Sequence, residues 1–184
     1  MLSTTEYFHD GVFSPGPPLP FPLEWHCMAI ISPTQVAILG GRPNSFSEDS
    51  AMFHIFDTVT EQFTEMPPMA SARGGLGCGT IQSGGGVELV AAGGYSDFEA
   101  RLTTSEIFNF ESGEWRSGPE TPYYFDSAVS LPFEDSFLIV GGDINHTILK
   151  FDVATMKFVI LEPTLAHARY YGQAILIDND KGVC

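Results

Sequence analysis

The sequence predicts an all-β chain: four-stranded antiparallel sheets repeated around a common axis, as in a β-propeller. Three observations carry this. Apolar runs end in double glycines at Leu39-Gly40-Gly41, Ala92-Gly93-Gly94 and Val140-Gly141-Gly142, at intervals of 53 and 48 residues, and a β repeat of about 50 residues is the period of a propeller unit. An aromatic followed by Asp or Asn, with a second aromatic seven residues later, recurs in step: Phe56-Asp57 to Phe63, Phe108-Asn109 to Trp115, Phe151-Asp152 to Phe158. No long stretch keeps helical apolar spacing without one of the 19 Gly or 13 Pro interrupting it.

Each unit is expected to hold four elements. An opening strand of small residues recurs at Trp25 to Ile30, Leu76 to Ile81, Phe125 to Ser130 and Tyr171 to Leu176. A second strand, Val36 to Gly41, Val87 to Gly94 or Phe137 to Gly142, is a continuous β-branched run suited to burial on both faces. The aromatic-Asp/Asn pair then opens a hairpin, because that side chain bonds its own backbone and starts the turn. Its two rings are expected to pack between neighbouring sheets, each burying about 150–250 Å². A proline turn at Pro67-Pro68, Pro119 or Pro163 closes the outer strand.

The N-terminus matches the last two elements alone. Thr4-Thr5-Glu6-Tyr7-Phe8 aligns with Thr104-Ser105-Glu106-Ile107-Phe108, and Phe13 to Pro17 aligns with Trp115 to Pro119. The expected division is the rear half of a unit over 1–24, units over 25–74, 75–123 and 124–169, and a front strand over 170–184. That is an open propeller of about three full blades and two partial ones. The alternative is a four-bladed ring in which the N-terminal hairpin joins the C-terminal strand.

Composition narrows the function. Net charge is −15 with only eight Lys and Arg, which excludes a basic stripe for nucleic acid and disfavours an anionic membrane. The three cysteines, Cys27, Cys78 and Cys184, do not form a disulfide framework by number. Cys27 and Cys78 align at one position of the repeat and are expected to be buried free thiols. Neither a basic-plus-apolar leader over Met1 to Gly11 nor a run of membrane-spanning length is visible, so a reducing, cytoplasmic setting is the expectation.

The diglycine step, the aromatic-Asp/Asn, the spaced aromatic and the proline turn together resemble the kelch repeat across nearly the entire chain. Ala72-Arg73 and Ala168-Arg169, just ahead of two opening strands, add to the likeness. Only one outer aromatic is Trp, no Arg precedes Phe125, and the loop from Gly142 to Phe151 is short; these mark divergent repeats. The Gly-His and Trp-Asp signature of the WD type is missing. The resemblance implies a non-catalytic module that displays loops to a protein or peptide, such as the substrate-recognition part of a ubiquitin-ligase adaptor. An oligomerisation domain of the BTB kind would then lie outside these residues. It also admits a second class: a propeller enzyme acting on carbohydrate, like galactose oxidase or the sialic acid mutarotases.

No catalytic constellation, metal set or cofactor is expected. His9, His26, His54, His146 and His167 lack ligand spacing, and Gly84-Gly85-Gly86 sits in a hairpin without the Lys-Ser/Thr of a phosphate loop. Asn145-His146-Thr147 is a glycosylation sequon that matters only for a secreted chain. Recognition is expected where loops joining second and third strands (42–50, 95–103, 143–147) meet the links between units (69–76, 120–125, 164–171). These hold Arg42, Arg73, Arg101 and Arg169, and the aromatics Tyr95, Tyr123, Tyr124, Phe125, Tyr170 and Tyr171, of which Tyr95, Tyr124 and Tyr170 are the expected anchors. Arg73 and Arg169 lead this candidate set. The competing reading has each Arg pair with a loop carboxylate such as Glu48, Asp97 or Glu99, or cap carbonyls between units.

Overall fold

A computed structural model describes residues 2–43, 48–97, 100–142, 146–162 and 164–175. It contains sixteen strands and no helix among the described residues. Strands β1 (Glu6–His9) and β2 (Val12–Pro15) form a hairpin. Sheet 1 follows, with β3 (Cys27–Ser32), β4 (Gln35–Leu39), β5 (Phe53–Asp57) and β6 (Gln62–Met66) in chain order. Sheet 2 holds β7 (Gly77–Ser83), β8 (Gly86–Ala92), β11 (Ser105–Asn109) and β12 (Glu114–Ser117). A small hairpin of β9 (Tyr95–Ser96) and β10 (Ala100–Arg101) interrupts it. Sheet 3 is β13 (Val129–Phe133), β14 (Ser136–Val140), β15 (Ile148–Asp152) and β16 (Lys157–Ile160). All pairings are antiparallel and none of the sheets closes on itself.

The second strands end one residue before each diglycine, at Leu39, Ala92 and Val140. Both glycines of every step have positive φ, from 59° to 87°, where a side chain is strained. A Cβ on Gly40 would also stand 2.3 Å from the Arg73 carbonyl oxygen. The same hydrogen bonds recur at each step. Gly40, Gly93 and Gly141 donate N–H to the carbonyls of Met52, Thr104 and Thr147. Gly41, Gly94 and Gly142 donate to those of Arg73, Phe125 and Arg169. The hairpin turns form by the side-chain capture the sequence predicts: Asp57 accepts from Val59 and Thr60 N–H, Asn109 from Glu111 and Ser112, Asp152 from Ala154 and Thr155.

The repeat register of the opening strands differs from the sequence expectation. Trp25, Gly75, Ser127 and Tyr171 are the equivalent residues: all have φ between 52° and 62°. Each donates its N–H to the previous one's carbonyl, Gly75 to Trp25, Ser127 to Gly75 and Tyr171 to Ser127, at 2.8–3.0 Å. This relay ties the starts of successive units together. It moves the second unit's alignment by one residue and the third unit's by two. The fourth opening strand, expected over Tyr171 to Leu176, is not a strand over 171–175, where no ladder partner exists among the described residues.

That shift corrects the reading of the cysteines. Cys27 pairs with Leu39, next to Gly40, whereas Cys78 pairs with Ala91, one place further from its diglycine. Side chains alternate faces along a strand, so a one-residue offset turns the two cysteines in opposite senses. Cys27 points from sheet 1 toward sheet 2 and Cys78 points back. They meet as a disulfide, with Cα atoms 6.0 Å apart. Truly equivalent positions would have pointed the same way from their own sheets and could not have met.

Two apolar layers hold the sheets together. Between sheets 1 and 2, Phe53, Phe108 and Trp115 pack edge-to-face or tilted around Leu39, Leu89 and Met69. Between sheets 2 and 3, Phe137, Phe151 and Phe158 pack with Ile81, Val90 and Ile139. Gly77 and Gly79 admit this second layer, for a Cβ on them would lie 2.6 Å from Ile139 and 2.2 Å from Phe137. Phe56 stacks on Phe63, at 4.6 Å, outside both layers.

Candidate functional site

The loops leaving the second strands are pinned to the links by short backbone bridges. Arg42 and Glu24 exchange N–H···O bonds, as do Tyr95 and Gly74, and Asp126 donates to the Gly142 carbonyl. Residues from four successive repeat segments line one recess of about 430 Å³ beside these bridges. Arg42, Tyr95 and Arg101 line it, together with Trp25, Asp97, Asp126 and Tyr171. Its floor is the backbone relay through Gly75 and Ser127.

The arginines in the recess are already engaged. The Arg42 guanidinium lies 4.8 Å over the Trp25 ring. It donates to both Asp97 carboxylate oxygens at 3.1 and 3.2 Å, and its Nε stands 3.4 Å from Asp49. Asp97 also accepts the Asp49 N–H at 3.0 Å. The Asp49 carboxylate is buried against Gly74, where a Cβ would come within 2.5 Å. Burial pushes the Asp49 carboxyl above its usual range, and the charge of Arg42 works against that shift. Arg101 lies 4.5 Å over the Tyr124 ring and 3.9 Å from Asp126, a loose pair.

Arg73, a leading candidate from the sequence, lies in the interior instead. Its side chain is fully buried and donates to the carbonyls of Gly93 and Thr104, the Thr104 hydroxyl and the Glu106 carboxylate, at 2.9–3.2 Å. No partner can reach it; it caps carbonyls of the following unit, the competing role weighed for it. Phe125 fills the same repeat position in the next unit, packed over Gly93. Arg169, the third occupant, is exposed, donates to the Ala168 carbonyl and stands outside the recess. Tyr124 and Tyr170 are partly exposed, Tyr124 beneath Arg101 and Tyr170 outside the recess.

Trp25 and Asp126 are the recess residues that sequence reasoning did not single out. Trp25 stands in an opening strand by pattern, whereas in the structure it has a left-handed backbone ahead of β3 and lines the recess. Glu99, Asn145 and parts of the 42–50 and 143–147 loops lie outside the described residues. Among the described residues no group of three or more His, Cys, Asp or Glu could hold a metal ion, and no helix is long and apolar enough to cross a membrane.

No family model and no curated protein matches the chain. Among solved structures, that of YjhT is similar, with a TM-score of 0.65 at 15% identity over 87% of this chain. The chain spans 58% of that structure's length. At this identity the likeness is one of fold: an all-β arrangement of antiparallel sheets.

Proposed function

We propose that the protein is a non-catalytic, kelch-like propeller module that captures a protein or peptide segment in the recess between its rim loops. One observation carries the reading. Trp25, Tyr95 and Tyr171 are 43%, 40% and 70% exposed around a single recess framed by charged side chains, and exposed aromatics beside arginine are the usual anchors of interfaces. The rigid backbone bridges beneath them supply preorganisation.

Selection from a random peptide display library tests this. The wild-type protein should enrich a consensus sequence, and a Tyr95→Ala/Tyr171→Ala variant with unchanged far-UV dichroism should lose it. Equal enrichment by both would remove the recess from the function.

The setting follows from the cysteines. The Cys27–Cys78 bond favours an oxidising compartment over the reducing cytoplasm expected from the sequence. It thereby favours an extracellular or lumenal partner over a ubiquitin-ligase adaptor role. Alkylation of thiols during acid quenching and denaturation of the cells checks this: Cys27 and Cys78 should be protected, and their labelling without prior reduction would restore the cytoplasmic reading.

A further inference from the structure

We infer that the segment captured in the recess is basic, bearing Arg or Lys, and that Asp97 and Asp126 receive its cations over the faces of Tyr95 and Tyr171. This rests on the proposed binding role of the recess and concerns the chemistry of its partner.

The charge balance of the site carries the inference. Arg42 is one cation held between two carboxylates, Asp97 and Asp49. Asp97 therefore shares its one cation with a second carboxylate. Arg42 is the closed member of the contact pair, with a side chain 16% exposed, whereas the Asp97 side chain is 33% exposed. Arg42 is further sequestered by its stack on Trp25. On the other wall, Asp126 is held only loosely by Arg101, at 3.9 Å. Arg101 is the open cation of the recess, its side chain 53% exposed, and the recess presents that one guanidinium to solvent together with carboxylate oxygen and exposed tyrosine. The pairing of carboxylate and ring suits an ammonium or guanidinium, which gains from the ring quadrupole and the carboxylate together.

An acidic segment meets the opposite conditions. It would meet Arg101 only in competition with Asp126 and Tyr124, and at Arg42 it would have to break a two-oxygen contact with Asp97 and leave the buried Asp49 without its cation. It would also approach a chain of net charge −15, whose field repels anions and draws cations toward clefts. The volume of about 430 Å³ accommodates side chains of a segment, not a folded surface.

The test uses three fluorescent decapeptides of equal length, rich in Arg, Gln or Glu, titrated against the whole chain by anisotropy at low and high salt. The Arg-rich peptide should bind and the Glu-rich one should not, with affinity falling at least tenfold at high salt. Asp97→Asn and Asp126→Asn should each weaken the Arg-rich peptide about tenfold. Glu111→Gln and Glu114→Gln, which remove equal charge from the exposed end of the β11–β12 hairpin, outside the recess lining, should leave it unchanged. Equal loss from both pairs would mean diffuse attraction to an acidic surface and overturn the assignment. Binding of the Gln- or Glu-rich peptide in preference, abolished by Tyr95→Ala, would refute the basic partner while leaving the recess as a binding site. Failure of every peptide, with the aromatic variants silent, would take down the binding role itself.

Discussion

Replacing Arg73 tests the internal logic of the repeat most directly. Its guanidinium is fully buried and donates to the Gly93 and Thr104 carbonyls, the Thr104 hydroxyl and the Glu106 carboxylate. Removing one member of a buried, hydrogen-bonded ion pair costs about 3–5 kcal/mol, because the other charge stays behind. Glu106 keeps the N–H groups of Ala70 and Ser71 as donors, at 2.6 and 3.0 Å, which places Arg73→Met toward the lower end. For a chain of this length the loss corresponds to a fall in Tm of roughly 6–20 °C. Arg169→Met, at the equivalent but exposed position, should stay within about 0.5 kcal/mol. Urea denaturation followed by far-UV dichroism and tryptophan emission measures both. Equal midpoints for the two variants would refute the argument that Arg73 is a structural cap, and would reopen its role at the surface.

Three further outcomes are expected. Reduction of the Cys27–Cys78 bond, which closes a loop of 51 residues, should lower stability by about 4 kcal/mol on the chain-entropy account; dithiothreitol should shift the urea midpoint of the wild type and not of a Cys27→Ser/Cys78→Ser variant. Gly79→Ala forces a methyl to within 2.2 Å of the Phe137 ring and should cost about 1–3 kcal/mol by overpacking, read as a lower urea midpoint. Burial holds His26 and His54 below their usual imidazole pKa of 6.5, so the unfolded chain takes up protons first as pH falls. Their contribution to stability should be complete above pH 6.5 and fade as pH drops through the lowered folded values, with His26→Gln and His54→Gln each flattening that part of the stability–pH curve.

The elements with distinctive chemistry were legible in the sequence. Each diglycine marks a strand end, and each Asp or Asn after an aromatic opens its turn. Phe108, Trp115, Phe151 and Phe158 fill the layers between sheets. The opening strands were misaligned because their register is set by backbone conformation, not residue type. Trp25, Ser127 and Tyr171 adopt the left-handed conformation that Gly75 takes without cost, and nothing in their side chains announces it. The run Gly74 to Gly79 offers no alternation to fix a register. The disulfide was hidden by that same slip, since two thiols at one repeat position could not have faced each other. Arg42, Tyr95 and Arg101 of the expected loops meet in one recess, yet Arg73 and Arg42 share a residue type and differ in fate. The first meets the Gly93 and Thr104 carbonyls and a carboxylate inside, and the second meets Asp97 outside. Only the fold distinguishes those acceptors.

The Cys27–Cys78 bond also alters how the molecule would respond to mechanical load. Tension applied at the two ends passes through the sulfurs, so the 51-residue span between them carries none of it. At ~3.3–3.6 Å per stretched residue, about 170 Å of slack stays locked away until the bond is cleaved. Sheet 1 can melt within that closed span without lengthening the tether, whereas sheet 3 cannot.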